Sequence, residues 1–145
     1  VAYKLTLSPN PWKLPFIWNV SQHVGDKASS ANRPTDVELV CVLIQSTLSG
    51  GHVSGRTPGV MTSPLPLGGR FDAVLGYWIY SFQANQQGKP DGVVSPAKAL
   101  GDPMLWLVAR MNIAMRNANP TAWAALDRLP TLSGALRAEL GRNAP

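Results

Sequence analysis

The stretch NRPTDVELVCVLIQSTL, Asn32 to Leu48, decides how the chain folds. Thr35 and Glu38 stand at the spacing of a capping box, in which the threonine hydroxyl accepts from the N–H three residues on and the glutamate reaches back. Val37, Val40, Cys41, Ile44 and Leu48 follow at i, i+3, i+4, i+7 and i+11. That is one apolar stripe of an amphipathic helix. Gly50 and Gly51 stop it.

Downstream, GRFDAVLGYWIYSFQANQQGKPDGVVSP (Gly69 to Pro96) predicts a second helix. Asp72 is its N-cap, and Leu75, Trp78, Ile79 and Phe82 fall at i, i+3, i+4 and i+7 as its buried stripe. Gly88 ends it, and Asp91-Gly92 makes a turn before VVSP. Tyr77 and Tyr80 lie off the stripe. Aromatic faces stack on sugar rings and anchor protein interfaces alike, so Arg70, Tyr77, Tyr80, Asn85 and Asp91 are the candidate contact residues.

A third helix starts at Asp102-Pro103, a cap followed by proline at the first helical position. Met104, Val108, Met111 and Met115 give it a core stripe, and Asn119-Pro120 breaks it. Thr121 caps a short turn through Leu129, and Ser133 caps a last helix to Leu140, closed by Gly141. Upstream of Asn32 the chain changes character. Pro9, Pro11 and Pro15 forbid a helix in the first 20 residues, and PFIWNV ends them as a β-prone run. This extended arm must pack Trp12, Phe16 and Trp18 on its own domain or on a neighbouring subunit. Val24 to Pro34 reads as loop, as does the Gly/Pro-rich run from Ser49 to Gly68, whose length points to function or assembly. The expected division is an arm and loop over 1–31, a helical core over 32–100 with an inserted loop at 49–68, and a helical extension over 101–145.

At 145 residues, 45% hydrophobic, the chain has enough material for one core. Charged residues are 14%, so a surface this poor in charge points to cover by a partner. The net charge of +5 is spread without a Lys/Arg run, so nucleic acid is not the expected partner. No apolar run reaches the ~18–20 residues that span a bilayer, and VAYKLTLSPNPWK carries no signal-peptide core. Candidate chemistry is sparse. A glycosidase needs two positioned carboxylates, and the two glutamates are Glu38, assigned to a cap, and Glu139, near the tail. His23 and His52 are too few for a zinc site. Cys41 sits mid-stripe as a small core residue. No Gly-Lys-Ser/Thr follows the glycine pairs. The expectation is no catalysis and no cofactor.

NRPTDVELVCVLIQ, GRFDAVLGYWIYSFQ and GKPDGVVSP, in that order, resemble the peptidoglycan-binding-like domain of wall hydrolases, secreted effectors and bacteriophage proteins. The likeness covers about Asn32 to Pro96. Asp72 to Leu75 replace the family's Gly-Pro-x-Thr, and the loop at 49–68 is longer than its link. The resemblance implies a small, mainly α fold with cell-wall glycan or protein neighbours as partners. The expected role is a structural or assembly protein of a bacteriophage virion or injection device. The alternative is a peptidoglycan-binding module serving an enzyme on another chain, which would place it outside the cytoplasm.

Overall fold

A computed structural model describes residues 1–49, 69–86 and 89–142. The loop expected at 49–68, from residue 50 on, and the helix stops at Gly50-Gly51 and Gly88 lie outside the described residues. The architecture is mainly helical, with short strands. In chain order it runs β1 (Tyr3–Thr6), β2 (Phe16–Asn19), β3 (Val24–Gly25), α1 (Pro34–Ser49), α2 (Ala73–Asn85), β4 (Val93–Val94), α3 (Leu107–Ala118), α4 (Pro120–Ala124) and α5 (Gly134–Leu140). Single 3-10 turns at Pro103–Leu105 and Leu126–Arg128 precede α3 and α5. Among the described residues no helix is long and apolar enough to cross a membrane.

The first helix forms where the sequence predicts, but it is not amphipathic. Every residue from Asp36 to Ile44 is buried. The reason is visible in LVCVLI: between Leu39 and Ile44 no position is polar, and a helix apolar all round belongs in the middle. It packs against α3, α5 and β3. The capping box does not form. The helix starts at Pro34, with Val37 N donating to Arg33 O at 2.9 Å. Glu38 is turned away to another helix: Ser133 Oγ donates to it at 2.6 Å and in turn accepts from Leu136 N at 3.1 Å. Glu38 therefore steadies the cap of α5 rather than its own. Asp36 accepts from Ser21 N (2.8 Å), Ser21 Oγ (2.9 Å) and Gln22 N (3.0 Å), so both buried carboxylates are hydrogen-bonded.

The second helix is as read. Asp72 accepts from Leu75 N at 2.8 Å, and Leu75, Trp78, Ile79 and Phe82 are its buried residues. The third differs at its start. Asp102 caps the 3-10 turn Pro103–Leu105, Trp106 is extended, and α3 begins at Leu107. Val108, Met111 and Met115 stay in the core, while Met104 drops out of register and is half-buried. Asn119 both ends α3 and caps α4 by accepting from Ala122 N at 3.1 Å, the role assigned to Thr121. Ser133 and Gly141 bound α5 as expected.

The N-terminal arm is two strands, not a free extension. β1 and β2 pair antiparallel, Tyr3 opposite Asn19 and Thr6 opposite Phe16. Leu14, Ile17, Trp18 and Val20 are at most 1% exposed. Val24-Gly25, read as loop, pairs antiparallel with Val93-Val94. Residues of segments 1–31, 32–100 and 101–145 share one core, to which Trp18, Ile44, Trp78 and Met111 all belong.

Three asparagines do much of the joining. A side-chain amide carries one donor face and one acceptor face, like a peptide group, so it can pair with both the N–H and the C=O of one residue. Asn112 on α3 does this to Trp18, with both bonds at 2.9 Å. Asn19 does it to Ala97, both at 3.0 Å, and Asn32 to Gly25, both at 2.9 Å. Each acts as a one-residue strand along an edge that no strand covers, satisfying backbone groups that burial would otherwise leave unpaired. Asn112 goes further: its Nδ2 also reaches Val108 O (2.8 Å) and its Oδ1 accepts from Trp123 Nε1 (3.0 Å).

Candidate functional site: the tyrosine face of α2

The core stripe of α2 leaves the opposite side of the helix in water. Val74, Tyr77 and Tyr80 are 43%, 39% and 51% exposed, large apolar side chains on one short element. Tyr77, Tyr80, Ser81, Ala84 and Asn85 follow at i, i+3, i+4, i+7 and i+8, which places them on one helix face. They line a shallow hollow of about 150 Å³. The hollow offers apolar ring faces and hydroxyls. Such a surface takes a flat or ring-shaped contact.

The sequence-predicted residues therefore divide. Tyr77, Tyr80 and Asn85 come together. Arg70 is exposed but precedes α2 and is not among the residues that line the hollow. Asp91 belongs to the fold. Its Oδ1 accepts from Gln83 Nε2 at 2.7 Å and from Val93 N at 3.0 Å, while Gln83 Oε1 accepts from Gly92 N at 2.8 Å. This knot ties the turn before β4 to α2. Partial burial works to raise the Asp91 pKa, but the Gln83 and Val93 hydrogen bonds and the Lys27 charge outweigh it and hold the carboxyl below its ordinary value. Ser81 and Ala84 were missed because small residues carry no chemical signal. Their spacing from Tyr77 is the signal that finds them.

The aromatic residues of the arm divide too. Trp18 is buried, its Nε1 donating to Trp123 O at 2.7 Å, and so offers nothing to a partner. Phe16 is half-buried, stacked on Trp123 with ring centroids 4.7 Å apart and beneath Lys4 Nζ at 4.1 Å. Its ring is thus covered by its own chain. Trp12 alone of the three is exposed, at 46%, on a loop whose carbonyls Arg116 holds.

Among the described residues no group of three or more His, Cys, Asp or Glu side chains is placed to hold a metal ion. His23 Nδ1 lies 3.0 Å from Ser95 Oγ at the surface, and His52 lies outside the described residues. Cys41 is buried in α1. No family model matches the chain, and comparison with curated proteins and with solved structures found no match.

Proposed function

We propose that this chain is a non-catalytic structural or assembly protein with a peptidoglycan-binding-like core, of the kind a bacteriophage virion or injection device uses, and that the tyrosine face of α2 is its contact surface. One observation carries the reading: Val74, Tyr77 and Tyr80 stand exposed together on a helix whose other face is core. Tyrosine anchors protein interfaces because it buries much area at low entropic cost and keeps a polar tip. The low charge, 14% of residues, fits a surface that is partly covered in use. Asp36, Glu38 and Glu139 all accept hydrogen bonds from the chain's own backbone or hydroxyls. The proposal of a phage setting comes from the sequence resemblance.

A second reading has its own observation in favour. Two exposed tyrosines around a shallow hollow also suit a sugar ring, stacked on the phenol faces and hydrogen-bonded to their hydroxyls. One pair of measurements separates the two. Light scattering after size exclusion reports assembly, and a pull-down with purified sacculi at two salt concentrations reports wall binding. The expected result is concentration-dependent assembly lost in Tyr77→Ser/Tyr80→Ser, with sacculus binding that fades above ~0.15 M salt as surface charge is screened. Salt-resistant, saturable sacculus binding that the double substitution removes would favour the wall-binding module instead.

A further inference from the structure

Positive side chains that are far apart in sequence come together where the arm meets α3. Residues 1–25 and 103–126 contain no Asp or Glu, and the fold lays them against each other, β2 on α3. Three of their cations are joined through aromatic rings. Lys4 Nζ stands 4.1 Å from the centre of the Phe16 ring, and Phe16 stacks on Trp123 at 4.7 Å. The Arg116 guanidinium lies 5.7 Å from the centre of the Trp123 ring. Arg116 also donates to Lys13 O at 3.1 Å and to Trp12 O at 3.2 Å, which pins the loop that presents both residues. The even spread of charge along the sequence is therefore no guide to its spread in space.

The carboxylates that border this region are engaged elsewhere. Asp127 lies 4.0 Å from Arg128 and so brings its own cation. Asp102 accepts from Met104 N at 2.9 Å. Glu139 accepts from Ala2 N at 2.9 Å, while Lys4 reaches along β1 in the other direction, to Phe16 opposite Thr6. Among the described residues Lys4, Lys13 and Arg116 join no ion pair. Trp123 is buried and Phe16 lies between it and Lys4, so the free ring is that of Trp12, 46% exposed beside an exposed Lys13.

We infer that Trp12, Lys13, Arg116 and Lys4 bind single-stranded nucleic acid, with one base stacked on the Trp12 indole and neighbouring phosphates on the three cations. An exposed ring beside a positive track is what a single strand needs, and every base has a face to stack, so sequence preference is slight. A lipid surface fits less well. Trp12 is the one large apolar side chain exposed between residues 2 and 25, and an indole buries less than an acyl chain, which by itself binds a bilayer only marginally. The inference does not depend on the tyrosine face.

The test uses the full chain and a fluorescein-labelled oligothymidylate of about twelve nucleotides, within the usual span of a single-strand site, read by anisotropy over a salt series. Unlabelled oligothymidylate and inorganic polyphosphate of equal charge serve as competitors, and phosphatidylcholine–phosphatidylserine vesicles as the lipid arm. Saturable binding is expected, with log K falling by about 2 per decade of salt, from three phosphate contacts at about 0.7 each. Trp12→Ala should weaken it by roughly tenfold at an unchanged salt slope, and Trp12→Phe should retain most of it, since a base stacks on either ring. Lys4→Gln should weaken it and lower the slope by about 0.7, as should Lys13→Asn, in which asparagine accepts the φ of +52 at that position. Trp12 and Lys13 are exposed, so their variants should keep a cooperative thermal transition, and Tyr77→Ser/Tyr80→Ser should leave oligonucleotide binding unchanged. The proposal is overturned if the oligothymidylate does not bind at low salt, if Trp12→Ala binds it as tightly as wild type, or if polyphosphate competes as well as unlabelled oligothymidylate. Capture by the vesicles through Trp12, with no binding of the oligonucleotide, would overturn it in favour of a lipid surface.

Discussion

Asn112 shows how much a single side chain can hold. Its amide makes four hydrogen bonds, to Trp18 N, Trp18 O, Val108 O and Trp123 Nε1, and it is fully buried. Asn112→Leu keeps the branched outline of the side chain, though not its size, and removes the partner of Trp18 N, Trp18 O and Trp123 Nε1, while Val108 O loses only its second bond. Each unpaired buried group costs about 1–3 kcal/mol, so a loss of at least about 3 kcal/mol is expected in urea unfolding, and a loss below about 1 kcal/mol would refute the role. The two buried tryptophans offer a paired comparison. Trp18 Nε1 donates to Trp123 O, whereas Trp78 Nε1 is buried with no hydrogen-bond partner. Trp18→Phe should therefore be the more damaging of the two substitutions by about 1 kcal/mol, measured the same way. Gly92 is held at φ +75, and a Cβ there would stand 2.7 Å from Asp26 Oδ1; Gly101, at φ +95, has nothing within 4 Å. Both Gly92→Ala and Gly101→Ala should cost about 1–2 kcal/mol in urea unfolding, because each places a β-carbon at positive φ, while the exposed Asp26 carboxylate can swing clear of the one at Gly92. Asp91 adds a pH dependence. Its folded pKa lies below the unfolded one, so its contribution is complete above about pH 4 and is lost as pH falls through the depressed value. The melting difference between wild type and Asp91→Asn should be steady from pH 7 to 5 and close in stronger acid. None of the asparagine pairings could be read from sequence, since an asparagine looks the same whether it faces water or a distant strand.

The helices were legible and their surroundings were not. The α2 stripe emerged residue for residue because a local cap and a 3.6-residue period are properties of contiguous sequence. The same logic misjudged α1. Its capping box was matched by spacing, yet Glu38 found a stronger use on Ser133, 95 residues away. Its stripe was drawn on one side although LVCVLI offers apolar groups on every side. Short strands were lost for a related reason: Val24-Gly25 has too few residues to show a period, and its partner lies beyond α2. The long-range contacts make a clear prediction. Removing residues 1–20 takes Ile17 and Trp18 out of the core and strips Asn112 of its partner. Removing residues 101–145 takes out Met111, Trp123 and Leu136. Neither truncated chain should show a cooperative thermal transition by circular dichroism. A cooperative transition in the piece ending at residue 100 would mean that the core over 32–100 stands alone with the arm.

Among the described residues, the exposed large apolar side chains are Val74, Tyr77 and Tyr80 on α2, Leu100 and Leu105 ahead of α3, and Val1 and Trp12 in the arm, while the polar groups of the interior bind one part of the chain to another. The sequence located Tyr77 and Tyr80 because they fell off a stripe. It was silent about Leu105, which falls outside the Met104, Val108, Met111 and Met115 stripe and lies in the 3-10 turn that ends at Trp106. One contact described above has a use in protein engineering. Glu139 Oε2 accepts from Ala2 N at 2.9 Å, and α5 packs on β1. The first strand and the last helix are neighbours, so the domain enters and leaves at one place, as insertable and permutable domains do. It should tolerate being spliced into a surface loop of a host protein with a short linker on each side. It should also tolerate joining residue 142 to residue 1 through such a linker and reopening the ring at Gly101, where the backbone is exposed and uncrowded.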